Sequence, residues 1–516
     1  MEIHTRDESA REGDTDAVNT SGQSPLLSTT LDQNLRFIRQ KLSESGDLTI
    51  QNVQFGHRVA SIITLDGLND IYAIQKHLVQ PLQLGGRESA LQDRSGGWLD
   101  EIETRFISLP VLKRTNEWDE IVAAVLAGNA ALLLDGEDRA LLIKSRNPPG
   151  RAIEEPQTEA LVRGPREGFT ENISANMTLV RKQIRDPNLT FDTVLVGRRS
   201  RQTLAVAYID GIAHPEIVKE VKRRLESLDV DAAPESGTIE QWIEDSFLSP
   251  FPQILHTERP DKVASALLQG KVALLLEGTP FVLLLPTTLV SLIQSPEDYY
   301  ERWIIGSLIR TLRYAAVLVT LLLPALYVAL ISFHQGMIPF KLAFSIAATR
   351  EGVPFPAVVE ALLMEGTFEL LREAGIRLPK PIGQTIGIVG GLVIGEAAVQ
   401  AGIVSPVMVI IVSITAISSF AIPAYSVGIA FRILRFAVIL AASIFGLYGI
   451  VLAMITICIH LLRLYSFGVP YSAPYAPTLK SDWRDLFIRA PITLLTGRPR
   501  FMQTKNPVRA DKEGEP

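Results

Sequence analysis

The chain has 516 residues, a net charge of −6 and a mean hydropathy of +0.20. Its single cysteine, Cys458, rules out an intrachain disulfide and a multi-cysteine zinc site. The modest charge, with no lysine/arginine block and no RNA-binding aromatic motif, argues against nucleic acid as a partner.

Residues 1–30 are small, polar and aperiodic, which predicts a disordered tail. No apolar stretch follows Met1, so no cleaved secretory signal is expected, and the soluble part is expected to stay in the cytoplasm. Residues 31–300 then form an internal repeat. TNEWDEIVAAVLAGNAALLLDG, from Thr115, realigns on TERPDKVASALLQGKVALLLEG, from Thr257, and NLRFIRQKL, from Asn34, on NMTLVRKQI, from Asn176. Ordered recurrence of this kind marks a duplicated structural unit. The boundaries are read as 31–150 and 151–300, with a Pro/Gly/charge-rich linker over 146–169.

Each repeat reads as α/β. Val59–Leu65 and Thr203–Ile209 are β-branched, apolar strands ending at Asp66-Gly67 and Asp210-Gly211, where turns are expected. His214–Leu228 and Asp119–Ala127 are amphipathic helices, the latter stopped by Gly128. AALLLDGEDRALLIK and VALLLEGTPFVLLLP are hairpins turning at Gly136 and at Gly278-Thr279-Pro280. The scattered histidines His57, His77, His214 and His256 lack metal-ligand spacing. With no Walker, GxGxxG, HExxH or GxSxG motif present, neither enzyme activity nor a metal or other cofactor is expected.

Residues 301–466 change character. Five apolar segments follow: Tyr314–Phe333, Pro354–Leu371, Ile382–Gly402, Ile403–Pro423 and Phe436–Leu462. A bilayer core of about 30 Å takes roughly 20 apolar helical residues to cross, so the fold class expected is a duplicated α/β soluble domain followed by an α-helical transmembrane bundle. Five crossings would put the basic tail, 467–516, outside, against the positive-inside rule. Treating the glutamate-bearing second segment as non-spanning gives four, the arrangement favoured here.

The third segment carries two distinct faces. Gly383, Gly387, Gly391 and Gly395 recur every fourth residue, a ridge along which membrane helices pack closely. Val389, Val393, Glu396 and Gln400 share another face. A carboxylate in hydrocarbon normally faces water or a bundle interior. This face is either a pore lining, with valines as a dewetting gate and Glu396 attracting cations, or part of a packed core in which Glu396 is paired. Glu365 and Glu369, one turn apart, either line a water-filled vestibule or pair with Arg372 and Arg377.

Four long stretches, EEPQTEALVRGPREGFTE (Glu154–Glu171), SPFPQILHTERPDKVASALLQGKVALLLEGTPFVLLLP (Ser249–Pro286), MEGTFELLREAGIRLPKPIGQTIGIVGGLVIGEAAVQAGIVSP (Met364–Pro406) and SFGVPYSAPYAP (Ser466–Pro477), resemble the GerA family of spore germination proteins. The resemblance implies an A subunit of a nutrient germinant receptor, multi-pass in the inner spore membrane, with its N-terminal domain on the core side. It implies partners: a transporter-like B subunit, a lipoprotein C subunit, and further copies of itself in a ring, a pentamer, that conducts monovalent cations. The paralogous stage V sporulation protein AF, tied to an accessory channel for ion and dipicolinate release, shares these domains, and no local motif separates the two. A secondary transporter would be expected to carry inverted repeats in its membrane half, which the apolar segments lack. A non-conducting scaffold remains the other alternative.

Overall fold

The structure is a computed structural model that describes residues 25–89, 98–146, 155–377 and 393–510. The chain divides into two compact units. The first comprises Met1–Ile38 and Thr49–Arg146, the second Arg39–Leu48 and Asn147–Pro516.

The first unit holds a five-stranded sheet of β1 (Leu48–Phe55), β2 (Arg58–Leu65), β3 (Val111–Thr115), β4 (Ala130–Leu134) and β5 (Ala140–Ile143), in the order β1-β2-β4-β5-β3. β4 and β5 are buried at every position. An unbroken apolar run of this length therefore reflects a strand covered on both faces. Gly67, at φ +76°, ends β2, and Gly136, at φ +84°, turns β4 into β5. Both sit in a left-handed region that costs glycine nothing. Asn69 locks the first turn, accepting from Leu65 N (3.0 Å) and donating to Gly128 O (2.9 Å) and Ser145 Oγ (2.7 Å).

The α/β part of the second unit repeats this topology. β6 (Leu189–Val196), β7 (Gln202–Ile209), β8 (Leu255–Thr257), β9 (Val272–Leu276) and β10 (Val282–Leu285) run in the order β6-β7-β9-β10-β8. Each strand takes the place of its counterpart five earlier, so the sequence duplication is a structural one. The helices expected over His214–Leu228 and Asp119–Ala127 form as Pro215–Glu226 and Trp118–Leu126. Segment Arg39–Leu48 belongs to this unit through Asp47, whose buried carboxylate takes Arg181 Nη2 and Nε at 3.0 Å each.

The helical half grows from the same unit. A 30-residue helix, Trp303–Ser332, leaves the α/β part; at 1.5 Å per residue it is about 45 Å long. Phe340–Arg350 is a short helix at its far end, and Ala357–Arg377 runs back. Residues 393–400 are helical, and Gly402, in contact with Gly352, lies again at the far end. Pro406–Phe420 returns, Tyr425–Phe445 leads away and Leu447–Arg463 comes back. Trp303–Ser332 and Tyr425–Phe445 are long and apolar enough to cross a bilayer.

One apolar segment is corrected. Phe436–Leu462 was expected as a single helix but is broken at Gly446 (φ +61°, ψ −139°) into an antiparallel helical hairpin. The two arms touch backbone to backbone: a Cβ at Gly449 would lie 2.0 Å from Ala441 O. Phe251 contacts Phe431 on one arm (5.5 Å between ring centroids) and His460 on the other (6.1 Å), so both arms begin and end beside the α/β part.

Residues 464–509 fold back onto the α/β part. Ser466 Oγ donates to Gln253 O (2.7 Å) and accepts from Thr287 N (3.0 Å), and Tyr471 is fully buried.

Candidate functional site

Charge inside an apolar bundle is stable only when paired or hydrated, so the carboxylates of the helical half locate its polar paths. Glu360 Oε1 is 2.9 Å from Arg350 Nη2, and its Oε2 accepts from Ser405 N at 2.9 Å. Glu365 Oε2 is 2.7 Å from Arg435 Nη2, both side chains being 2% exposed. Glu369, more open, is 3.2 Å from Arg432 Nε and 3.6 Å from Arg372 Nη1. Arg372 also donates to Ser419 Oγ (2.9 Å) and lies over the Phe420 ring. The result is a charge ladder tying the Ala357–Arg377 helix to the outgoing arm of the hairpin.

The pairing expected between Glu369 and Arg372 is present, while Arg377 pairs with Glu373 at 2.5 Å. Arg432 and Arg435 stand just ahead of the apolar segment that begins at Phe436, where basic residues ordinarily flank a span. They lie within the Tyr425–Phe445 helix and are buried. The available signal was their spacing of three, which faces them toward a carboxylate pair spaced by four.

The third apolar segment is different. Gly383, Gly387, Val389 and Gly391 lie outside the described residues. Gly395 is buried, and a Cβ there would lie 3.4 Å from Val409 Cγ1, so this position packs against the Pro406–Phe420 helix. Ala398 and Val399 pack on the core as well. Val393, Glu396 and Gln400 are exposed together on the opposite side. Among the described residues, Glu396 is partnered by Gln400, whose Nε2 donates to Oε1 at 3.1 Å. Glu360, Glu365 and Glu369 each hold an arginine; among the described residues Glu396 holds none.

A second polar cluster, missed in the sequence, joins the α/β part to the root of the first long helix. Asp298, 1% exposed, accepts from Arg310 Nε (3.0 Å) and Arg313 Nη1 (2.6 Å). Arg310 Nη1 donates to Asp485 Oδ1 (2.7 Å) in the C-terminal segment, and Tyr299 donates to Asp485 Oδ2 (2.5 Å). The guanidinium groups of Arg310 and Arg489 both lie over the Tyr299 ring, at 5.5 and 5.3 Å from its centroid. Burial first, then the Asp485 carboxylate, pushes the Tyr299 phenol above its ordinary range, so it stays a neutral donor. The clue in the sequence was two arginines inside an apolar helix, which require counter-ions from elsewhere. Among the described residues no group of three or more His, Cys, Asp or Glu side chains could hold a metal ion.

The architecture is a duplicated α/β fold ahead of an apolar helical bundle, with a charge ladder inside the bundle and a buried ion cluster tying its first helix to the second α/β part. The model of the family described as Bacillus/Clostridium GerA spore germination protein matches residues 36–501. Spore germination protein GerLA of Bacillus cereus is 48% identical over 481 residues, 93% of this chain and 97% of the relative. Spore germination protein KA of Bacillus subtilis (strain 168) is 43% identical, covering 95% and 90% of the two chains. A crystal structure of the N-terminal domain of the A subunit of the Bacillus megaterium spore germinant receptor GerK3 aligns at 32% identity with a TM-score of 0.41, covering 52% of this chain and 99% of that one. The chain belongs to the GerA family, the A subunits of spore germinant receptors.

Proposed function

We propose that this chain forms, with further copies of itself arranged as a pentameric ring, a cation channel of the inner spore membrane. Transporter-like B and lipoprotein C subunits act as its partners, and nutrient binding opens it to release monovalent cations. The observation that carries the reading is that Glu396 has no basic partner among the described residues. A carboxylate on an apolar helix with only a glutamine beside it, on a face shared with Val393 and Gln400, is costly in hydrocarbon and stable facing water. Gly395, on the other side, seats the helix against its own bundle. A ring of such helices presents a valine constriction and a ring of carboxylates to the axis.

The C-terminal segment lies against the second α/β part, and both are assigned to the cytoplasmic side. Glu365 anchors the outgoing arm of the hairpin through Arg435, and Glu369, 38% exposed at its side chain, serves as the vestibule carboxylate.

The test is ion flux. Wild type and Val393→Ala are expressed in growing cells with their B and C partners, and membrane potential and potassium content are followed. Val393→Ala is expected to depolarise the cells, and adding Glu396→Gln to reduce the leak of cations relative to anions. Unchanged potential in a stably expressed Val393→Ala protein overturns the pore assignment while leaving the family membership intact.

A further inference from the structure

Lys271 stands immediately before β9 and is 4% exposed, yet among the described residues it has neither a carboxylate nor a hydrogen-bond acceptor as partner. A buried ammonium without a counter-charge is costly. Burial first, then repulsion from Lys262, pushes it down to about 8. Its side chain lines two cavities of about 360 and 300 Å³ that also share Gln294, Tyr299 and Arg509.

The surroundings of the larger cavity are cationic. Arg484, Arg500 and Arg509 line it, their guanidinium groups without partners among the described residues. Arg498 spends Nε on Leu268 O (2.8 Å) and Nη1 on Asn506 O (3.0 Å), so it is fixed in place by backbone. The carboxylates on the walls are already occupied. Asp482 accepts from Arg500 N (2.9 Å) and Ser481 Oγ (2.9 Å), and Asp485 from Tyr299 and Arg310. In the smaller cavity, Asp261 is held by Arg259 at 2.9 Å and by Tyr300, and Lys262 is paired with Glu159 at 2.7 Å. The site thus has surplus positive charge, a buried point cation and several guanidinium forks.

We propose that this pocket binds an oxyanion of the phosphate class, with Lys271 as its buried cation and Arg484, Arg500 and Arg509 closing around it. Ammonium plus guanidinium is the donor set that suits a multiply charged tetrahedral anion. The phosphate can come from solution or from a lipid headgroup. Phe487, Ile488, Ile492 and Leu494 lie exposed in the same C-terminal segment that supplies the arginines, at the root of the helical bundle, within reach of a bilayer surface. The site is independent of the pore reading.

The test uses the full chain with its partner subunits in nanodiscs. Inorganic pyrophosphate is titrated at constant ionic strength into phosphatidylcholine discs, and lipid retention is counted by native mass spectrometry in discs containing phosphatidylglycerol. A melting temperature raised by a few degrees at saturation, on the order expected for a ligand well above its Kd, identifies a free anion; selective retention of phosphatidylglycerol identifies a headgroup. Either response is expected to vanish in Lys271→Met and to weaken at least tenfold in Arg500→Gln/Arg509→Gln. Lys271→Met removes a buried charge and is expected to melt no lower than wild type, so loss of binding is separable from loss of fold. Absence of both responses in wild type, or an equal response in Lys271→Met, overturns the proposal.

Discussion

Asp298→Asn attacks the joint between the α/β part and the first long helix. The wild-type carboxylate takes Arg310 at 3.0 Å and Arg313 at 2.6 Å, with relative side-chain exposures of 1% for Asp298, 0% for Arg310 and 8% for Arg313. The amide keeps the shape but loses the charge. Arg310 retains Asp485; Arg313 is left buried with its counter-ion gone. Removing one partner of a buried pair costs about 3–5 kcal/mol. At roughly 2 °C per kcal/mol, the lower end of the scaling for large domains, the melting temperature is expected to fall by about 6–10 °C. The exposed pair of Arg105 and Glu101, at 67% and 30% exposure, supplies a control; its removal is expected to cost no more than about 0.5 kcal/mol. Melting in detergent is read by fluorescence size-exclusion chromatography after heating. Asp298→Leu/Arg313→Leu, which removes both charges, is expected to recover at least half of the loss. A drop of less than about 2 °C in Asp298→Asn, matching the surface control, would refute the claim that this cluster holds the two parts together.

Gly449→Ala drives a Cβ to 2.0 Å from Ala441 O, whereas Gly428→Ala meets nothing closer than Ser419 O at 3.9 Å. The first is expected to destabilise by about 1–3 kcal/mol as an overpacked contact and the second to be tolerated, a contrast checked by the yield of monodisperse protein. Burial, then the neighbouring Glu244, pushes Glu240 up to about 7. Burial, opposed by a hydrogen bond from the Gln253 backbone, also raises Glu244 to about 7. Because both folded values lie above the unfolded ones, the folded state holds extra protons. Stability is therefore greatest in acid and falls as pH rises from about 4.5 through about 7, by about 3 kcal/mol for the partly exposed pair. Melting at about pH 5 and about pH 8 is expected to differ in wild type and to converge in Glu240→Gln/Glu244→Gln. Arg435→Met and Glu365→Gln each strip the partner from a buried charge and are both expected to lower the yield of monodisperse protein, Glu365→Gln the more, because a stranded carboxyl can neutralise itself by taking up a proton and a stranded guanidinium cannot shed one; wild-type yields in both would contradict the ladder.

The α/β half was largely legible because its signals are local. β2 and β7 end at Asp-Gly pairs, both hairpins turn where Gly136 and Gly278 stand, and the duplication recurs as two sheets of one strand order. What escaped were the edge strands of each sheet: β1 and β6, whose polar, alternating residues lack the apolar run that marks β2 and β7, and the short β3 and β8. In the helical half, hydropathy counts residues but is blind to a turn made by one glycine, so Phe436–Leu462 was read without its break at Gly446. Arg432 and Arg435 looked like the edge of a span because pairing with Glu365 and Glu369 spans about seventy positions of sequence. That Val393, Glu396 and Gln400 share a face follows from 3.6-residue periodicity; that this face is exposed rather than packed does not, and comes from the structure.

The measurement that bears most directly on the pore is the aqueous accessibility of single cysteines. Cys458 is the chain's only cysteine, so Cys458→Ser gives a blank background. Val393→Cys, Glu396→Cys and Gln400→Cys, with Gly395→Cys and Val399→Cys on the packed side, are expressed with the partner subunits and treated with a membrane-impermeant methanethiosulfonate while cation flux is recorded. The account predicts modification and altered flux at 393, 396 and 400, with protection at 395 and 399. Equal protection at all five positions, or modification that leaves flux untouched, would contradict it.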